Sequence, residues 1–284
     1  MDTQISYKLF SSQNKNSSNK IFFLHGNGFP PEAYSNFLNV LSSTADIYAM
    51  NQKPFHPTDI DPNLIYGWDI FKNDANNFLK QNQLENTIAV GHSMGAILIL
   101  LIEIDYPGTF KNIFLLDPVI TSKMKSSLYK LLLKCKAIDR RHPMIKRTNS
   151  KKMIYDNFES IYNSYRSKKI FSKINDENLK IYIESILEQY QGKVRIRLSK
   201  DWENSIYRNG SLKDRFIWNN LYKIKTPTYI IMPQQNEFGH FNYGRELKKK
   251  NSNFVNLYTN NTTHLFPLER PKQTAELILS NMDS

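Results

Sequence analysis

A chain of 284 residues with 40% hydrophobic side chains is long enough for one large α/β domain, and this composition excludes an intrinsically disordered protein. The only cysteine, Cys135, excludes an internal disulfide and a zinc site built from cysteines. The net charge of +12 is uneven, since residues 121–225 hold 25 of the 38 Lys and Arg but 10 of the 26 Asp and Glu.

Two features predict a soluble protein of the cytoplasm. The first residues, MDTQISYKLF, contain no basic segment followed by an apolar run, which argues against a secretory signal. The most apolar stretch, AILILLIEI at 96–104, is too short to span a bilayer and is interrupted by Glu103.

Seven short apolar or aromatic runs predict strands, at 5–10, 20–25, 46–51, 87–92, 112–117, 227–232 and 254–259. Amphipathic segments such as 68–81 and 96–106 lie between several of them and predict helices. This alternation predicts a mostly parallel central sheet covered by helices on both faces. The polar turn at 15–20 predicts that the first two strands form an antiparallel hairpin.

The alternation stops after Asp117 and resumes at Pro227. Between them the chain shows helical patterns and no convincing strand. We therefore predict an α/β core in two parts, residues 1–120 and 223–284, around a helical, basic lid insertion at 121–222 that lies over the carboxyl ends of the strands.

The basic charge of the insertion has two interpretations. A solvated helical surface is the simpler one. The alternative is a docking face for anionic lipid or for an acidic carrier. No nucleic-acid-binding motif is present, so nucleic acid is not an expected partner.

The sequence IAVGHSMGA carries the strongest chemical signal. A predicted strand runs into Gly91-His92-Ser93-Met94-Gly95 and then directly into a predicted helix. This G-x-S-x-G turn between a strand and a helix is typical of a nucleophile elbow, where a strained serine is exposed at a helix N-terminus. Small residues on either side let the strand and the helix approach each other closely. Ser93 is therefore the candidate nucleophile.

Two further segments belong to the same edge of the predicted sheet. The strand at 20–25 ends in the glycine-rich turn His25-Gly26-Asn27-Gly28, where we expect His25 to have a structural role. After the last predicted strand, NNTTHLFPLERP places His264 on a polar turn, where it could take the Ser93 proton and return it to the leaving group.

These blocks together resemble the α/β-hydrolase superfamily. HGNGFPPEAYSNFLNVL, VGHSMGA, FLLDPV and THLFPLERP carry the resemblance, which covers about residues 20–117 and 225–284. It implies an α/β-hydrolase fold of the serine esterase or acyl-hydrolase type, with His264 as the base. It also implies that the backbone N–H groups of Asn27 and Met94 form an oxyanion hole.

The acid that should orient His264 is not obvious from the sequence. The usual superfamily pattern places it after the strand that ends near Met232, where this chain has Asn236 followed by Glu237. Asp117, at the end of the strand after the nucleophile helix, resembles the acid of a second arrangement within the superfamily. We take Asp117 as the preferred acid and Glu237 as the fallback, with neither as a third possibility.

The predicted function is hydrolysis of an ester or thioester of an apolar acyl or aromatic small molecule through an acyl-enzyme on Ser93. Tyrosines and apolar helix positions in the insertion favour such a substrate. The alternatives are a carbon–carbon bond hydrolase or lyase that uses the same three residues, and a non-catalytic ligand-binding protein on this scaffold. We find no phosphate-binding loop, metal cluster or dinucleotide motif and expect no cofactor.

Overall fold

The protein is described by a computed structural model that covers residues 5–56, 58–135, 137–234 and 243–282. The first part of the chain alternates strands and helices as the sequence predicts. Its elements are β1 (Tyr7–Phe10), β2 (Lys20–Leu24), α1 (Ser35–Leu41), β3 (Asp46–Met50), α2 (Asp69–Gln81), β4 (Thr87–His92), α3 (Met94–Asp105) and β5 (Phe110–Leu116).

An insertion follows β5 and ends before the sheet resumes. Its elements are α4 (Lys123–Lys134), α5 (Ile138–Arg141), α6 (Pro143–Asn149), β6 (Ile154–Tyr155), α7 (Phe158–Arg166), α8 (Asp176–Ser185), β7 (Leu187–Tyr190), β8 (Lys193–Ile196), α9 (Lys200–Asn209) and α10 (Asp214–Asn220). The chain then returns with β9 (Thr228–Pro233), α11 (Gly244–Lys250), β10 (Phe254–Thr259), α12 (Phe266–Glu269) and α13 (Pro271–Leu279).

Seven strands form one sheet in the order β1-β3-β2-β4-β5-β9-β10. All neighbours are parallel except β1, which runs antiparallel to β3. Helix α1 packs against α13 and α2 packs against α3, so that helices flank the sheet. The mostly parallel, helix-covered sheet predicted from the sequence is confirmed.

The predicted hairpin of the first two strands is wrong. β1 pairs with β3, with Tyr7 opposite Met50. β2 instead has β3 on one side and β4 on the other, and its residues 21–24 are fully buried. A strand that is apolar on both faces belongs in the middle of a parallel sheet, whereas β1, with exposed residues, suits the edge.

The insertion is not all-helical, which corrects a second prediction. β6, β8 and β7 form a small antiparallel sheet in that order. The β7–β8 hairpin turns at Gln191 and Gly192, which both have positive φ (49° and 74°), as a type I′ turn requires. The apolar spacing of α8 continues through Tyr190 in the sequence, but the helix ends at Ser185 because Leu187–Tyr190 pairs with β8.

The apolar run at 96–104 forms most of α3, whose residues 94–104 are all buried. Its one carboxylate, Glu103, is buried but accepts hydrogen bonds from the Gly108 N–H and the Thr226 hydroxyl. Burial raises the pKa of Glu103. None of the helices within the described part of the chain is long and apolar enough to cross a bilayer.

Buried amide side chains join the insertion to the sheet domain. Asn209 on α9 accepts a hydrogen bond from the Gly67 N–H, and Asn178 on α8 donates to the Leu268 carbonyl. The indole of Trp68 donates to the Ile206 carbonyl. Because these groups are paired only when the insertion is in place, they fix its position against the sheet domain.

Candidate active site

Ser93 lies between β4 and α3 in a strained backbone conformation, with φ 56° and ψ −113°. A Cβ atom at Gly95 would lie 2.1 Å from the Leu24 carbonyl oxygen, and one at Gly91 would lie 2.7 Å from the Ala96 nitrogen. Only glycine allows α3 to pack this closely against β2 and β4. The turn is therefore a nucleophile elbow in its geometry as well as in its sequence.

The structure brings together Ser93, His264 and Asp117. The Asp117 Oδ2 atom lies 2.6 Å from His264 Nδ1, and His264 Nε2 lies 3.0 Å from Ser93 Oγ. Since a carboxylate only accepts, Nδ1 donates to Asp117, which leaves Nε2 to accept the Ser93 hydroxyl proton. Asp117 has φ 42°, and its N–H donates to the Ile231 carbonyl at 2.8 Å.

The fallback acid Glu237 and the neighbouring Asn236 lie outside the described residues. The hydrogen bond to Asp117 already supplies His264 Nδ1 with a carboxylate. Of the two candidate acids, Asp117 at the end of β5 is therefore the one that the described structure places against His264.

Polar groups of its own loop hold His264 in place. The Glu269 carboxylate accepts hydrogen bonds from both the N–H and the hydroxyl of Thr263. The hydroxyls of Thr259 and Thr262 are hydrogen-bonded to each other at 2.6 Å. All four side chains are buried, so the turn that carries the histidine is rigidly determined.

A second buried histidine, His92, connects the histidine loop to the glycine-rich turn. Its Nε2 lies 2.8 Å from the His264 carbonyl oxygen and its Nδ1 lies 2.7 Å from the Tyr34 hydroxyl. Burial lowers the pKa of His92 well below its usual value, so the ring is neutral. Nε2–H therefore donates to His264, Tyr34 donates to Nδ1, and the Gly26 N–H donates to Tyr34 at 3.2 Å.

This connection was not foreseen from the sequence, although His92 stands in the middle of the serine motif. Tyr34 is 58 residues away from it. Its only sequence signal is a tyrosine in the helical segment after the glycine-rich turn.

Tyr34→Phe should lower kcat roughly tenfold, because His264 and Gly26 are then less precisely held. It leaves a buried donor and a buried acceptor unpaired, which should lower the free energy of unfolding by about 1–3 kcal/mol. Steady-state kinetics and urea unfolding measure the two effects. Tyr229→Phe, in β9, is the matched control. An unchanged kcat for Tyr34→Phe would show that this connection does not position the site.

The glycine-rich turn after β2 is held by His25. Burial lowers the pKa of His25 to about 4, so this ring too is neutral. Its Nε2 accepts the Gln52 N–H at 3.0 Å, and its Nδ1–H donates to the Gly26 carbonyl at 2.8 Å. His25 therefore has the structural position expected from the sequence and lies outside the hydrogen bonds of Ser93.

The two residues expected to form an oxyanion hole are close to Ser93. Met94 follows Ser93 directly and begins α3, and Asn27 lies in the glycine-rich turn, where a Cβ atom at Gly26 would be 3.4 Å from the Ser93 Cβ. Neither N–H donates a hydrogen bond to another group within the described ranges. Both residues border the same cavity as Ser93. This position suits stabilisation of a developing oxyanion.

The serine opens into a cavity of about 510 Å³, which is within the usual range for sites that bind small molecules. Its walls are predominantly apolar and come from the strand ends and the insertion: Phe29, Trp68, Met94, Val119, Ile120, Leu128, Tyr129, Leu132, Met144, Ile170, Ile206, Tyr207, Met232, Leu247 and Leu265. The cavity wall also contains His142, whose ring stacks on Tyr207 with ring centroids 5.8 Å apart.

One amide in the cavity wall is unusual in its hydrogen bonding. The amide nitrogen and oxygen of Asn27 are both buried, yet neither makes a hydrogen bond of regular geometry with the described residues. The amide lies near the Tyr207 hydroxyl, whose pKa is raised by burial and partly lowered again by this amide. Asn27 therefore holds its polar side-chain atoms inside the wall of the cavity into which Ser93 opens.

Behind the cavity wall, Asp214 is completely buried. Its Oδ2 atom accepts from the N–H and the hydroxyl of Thr121, at 2.8 and 2.7 Å, whereas Oδ1 makes no hydrogen bond of regular geometry with the described groups, although the Ser211 hydroxyl lies near the carboxyl. Burial raises the pKa of Asp214 to about 7. The carboxyl connects the start of the insertion to α10, close to where the insertion leaves the sheet.

The burial of Asp214 predicts that the free energies of unfolding of the wild type and of Asp214→Asn differ by an amount that depends on pH. The folded carboxyl keeps its proton up to about pH 7, whereas the unfolded one releases it near ~3.9. Its contribution to stability is therefore present at acid pH and lost as the pH rises through about 7. Relative to Asp214→Asn, the free energy of unfolding of the wild type should fall by about 2–3 kcal/mol between about pH 5 and pH 8.

Urea unfolding of both proteins measures this difference, and histidine titrations common to both cancel. A difference that stays constant with pH would show that Asp214 ionises in the fold as it does in water.

Within the described residues no group of three or more His, Cys, Asp or Glu side chains is arranged to hold a metal ion.

No protein-family model matches the chain. It is 24% identical over 253 residues to the uncharacterized hydrolase YugF of Bacillus subtilis (strain 168), a match covering 88% of this chain and 86% of that protein. The structure of E-2-(acetamidomethylene)succinate hydrolase matches with a TM-score of 0.78 and 14% identity, covering 99% of this chain and 96% of the other.

The peroxisomal α/β-hydrolase Lpx1 of Saccharomyces cerevisiae matches with a TM-score of 0.75 and 18% identity, covering 98% of this chain and 81% of the other. The resemblance drawn from the sequence motifs is thus confirmed at the level of the whole fold, and the chain is an α/β-hydrolase-fold protein.

Proposed function

We propose that this protein is a serine hydrolase that cleaves an ester or thioester of an apolar acyl or aromatic small molecule. The observation that carries the proposal is the hydrogen-bonded series Ser93–His264–Asp117 at the wall of an apolar cavity. A structural serine has no need of a strained backbone or of a histidine oriented by a carboxylate. The similarity to a protein named as a hydrolase agrees with this.

In the first half of the reaction, Ser93 Oγ attacks the substrate carbonyl carbon while His264 Nε2 takes the hydroxyl proton. Asp117 stabilises the imidazolium that forms. The carbonyl oxygen becomes an oxyanion that accepts hydrogen bonds from the Asn27 and Met94 N–H groups. The tetrahedral intermediate collapses, the alcohol or thiol leaves with the proton from His264, and the acyl group stays on Ser93.

In the second half, water enters the place of the leaving group. His264 removes one proton from it, and the resulting hydroxide attacks the acyl carbon. The same two N–H groups hold the second oxyanion. Collapse breaks the bond to Ser93 Oγ, which regains its proton from His264, and the carboxylic acid leaves. No cofactor enters either half.

The cavity supports the proposed substrate class. Its apolar lining favours an aliphatic or aromatic acyl group, since burying such a group contributes about 25 cal/mol for each Å² removed from water. Thr121 in the cavity wall supplies a polar contact of the kind that orients a ligand in such sites.

The test is a panel of p-nitrophenyl esters and acyl thioesters of increasing chain length, with wild type and Ser93→Ala. We expect turnover that rises from short to medium chains and falls in the variant by roughly 10⁵–10⁶-fold. Ser211→Ala, which alters another serine of the cavity, is the control and should keep most of the activity. Equal rates in wild type and Ser93→Ala would contradict the proposal and favour a ligand-binding role.

A further inference from the structure

Helix α4 presents a stripe of large apolar side chains to solvent. Met124, Leu128 and Leu131 are 80%, 54% and 56% exposed, respectively. Their i, i+4, i+7 spacing keeps them within an arc of about 60° at 3.6 residues per turn. Cys135, also exposed, continues the stripe beyond the end of the helix. We call these four residues the α4 stripe.

The opposite side of α4 attaches it to the protein. The Ser126 hydroxyl is fully buried and donates to the Ser211 carbonyl at 2.7 Å. Tyr129 donates its hydroxyl to the Tyr207 carbonyl. The helix is thus fixed by the face that points away from the α4 stripe, and the exposure of the stripe is a consequence of that attachment.

Lysines follow one side of the stripe. Lys123, Lys130 and Lys134 occupy i, i+7 and i+11, so that they form a row about 100° from the α4 stripe. All three are exposed, and none forms an ion pair with a described residue. Arg140 and Arg141, exposed at the end of α5, extend the positive surface.

The other side of the same helix borders the cavity. Lys125, Leu128, Tyr129 and Leu132 all contribute to its wall. Leu128 therefore belongs both to the cavity wall and to the exposed α4 stripe. The cavity and the α4 stripe therefore meet at Leu128.

We propose that α4 docks onto the surface of an anionic lipid bilayer. Met124, Leu128 and Leu131 enter the boundary between head groups and acyl chains, and the lysine row contacts lipid phosphates. A helix with an apolar stripe, a lysine flank and low net hydrophobicity is suited to this position. A protein partner selected by charge alone would leave three large apolar side chains uncovered, which is why the bilayer is favoured over an acidic carrier.

Docking would place the cavity wall at the membrane, where apolar acyl compounds concentrate. This goes beyond the proposed hydrolysis and does not depend on it. Binding to lipid is a property of the α4 surface, so Ser93→Ala should bind vesicles as the wild type does. Loss of turnover in that variant with retained vesicle binding keeps the two proposals separate.

The experiment is co-sedimentation with vesicles of equimolar phosphatidylglycerol and phosphatidylcholine, compared with vesicles of phosphatidylcholine alone. Wild type should bind the anionic vesicles more strongly, and added salt should weaken the binding. One triple variant carries Met124→Ser, Leu128→Ser and Leu131→Ser and keeps Cys135. Another carries Lys123→Gln, Lys130→Gln and Lys134→Gln. The lysine variant should lower the partition coefficient about a hundredfold, since one lysine contributes about fivefold at such a surface. The serine variant should lower it at least as much, because it removes the apolar side chains that enter the boundary between head groups and acyl chains.

Matched controls change the same kinds of residue elsewhere. The apolar control carries Leu64→Ser, Tyr66→Ser and Tyr222→Ser, which remove side chains that are 81%, 73% and 63% exposed. The charge control carries Lys248→Gln, Lys249→Gln and Lys250→Gln, which remove three positive charges from α11. Both controls should stay within about threefold of wild type. Equal losses in the controls would indicate nonspecific attraction and overturn the proposal, as would undiminished binding by either α4 variant.

Two other partners that could cover the α4 stripe, an acidic carrier protein and a second copy of this chain, would give different experimental results. Retention on an immobilised acyl carrier protein without vesicle binding would make the surface a protein-docking face and refute the lipid proposal. A dimer in sedimentation velocity that dissociates in the stripe variant, again without vesicle binding, would assign the stripe to a second copy of this chain. Circular dichroism of each variant verifies that the exposed substitutions leave the fold intact.

Discussion

Asp117→Asn is expected to lower kcat by about four orders of magnitude while the protein remains folded. Asparagine matches aspartate in size but carries no charge, so it cannot stabilise the His264 imidazolium. Its NH₂ group can also face Nδ1 and force the ring into the wrong tautomer. The 2.6 Å contact between Asp117 and His264 is the basis of this expectation. Single-turnover kinetics with an activated ester measures the loss directly.

Glu237→Gln is the partner experiment, since the sequence names Glu237 as the fallback acid. With Asp117 already bonded to His264, this variant should keep turnover within a few fold of wild type. If Glu237→Gln loses turnover and Asp117→Asn does not, the acid assignment is wrong.

Gly95→Ala should abolish folding or destabilise the protein by more than about 4 kcal/mol. Its new methyl group would lie 2.1 Å from the Leu24 carbonyl oxygen and 2.9 Å from that of His25. Both atoms belong to the backbone at the end of β2, which is fixed by strands on either side. To accommodate the methyl group, α3 must move away from β2 and take Ser93 with it. Urea unfolding at neutral pH measures the change.

Gly108→Ala separates this steric effect from the general cost of replacing a glycine. No atom lies within 4 Å of a Cβ at Gly108, although its φ is +83°. Only backbone strain of about 1 kcal/mol is expected there. Comparable stability of the two variants would mean that β2 and α3 do not approach as closely as described.

The strands of the sheet could be predicted because each one corresponds to a short, continuous stretch of the sequence. Each of the seven strands is a short apolar run, and the serine motif specifies its own turn through two glycines that the structure shows to be sterically required. Ser93 could be selected because it follows directly on the end of β4, and His264 because it lies on the polar turn after the last strand, β10. The order of the strands is not local, which is why the edge position of β1 was missed.

The small sheet of the insertion was missed for a related reason. Leu187–Tyr190 continues the apolar spacing of α8, and only the Gln191–Gly192 turn marks the change to a strand. Likewise, the bond from Tyr34 to His92 and the burial of Asp214 depend on residues far apart in the chain. Tertiary packing decides such contacts, and no periodicity in the sequence encodes them.

The most direct test of a nucleophilic Ser93 is labelling with a fluorophosphonate, followed by peptide mass mapping. A nucleophilic Ser93 predicts one equivalent of label on the peptide that contains Ser93, no label in Ser93→Ala, and much slower labelling in Asp117→Asn. Folded wild-type protein that stays unlabelled, or label on another residue with Ser93 unmodified, would contradict the assignment of Ser93 as the nucleophile.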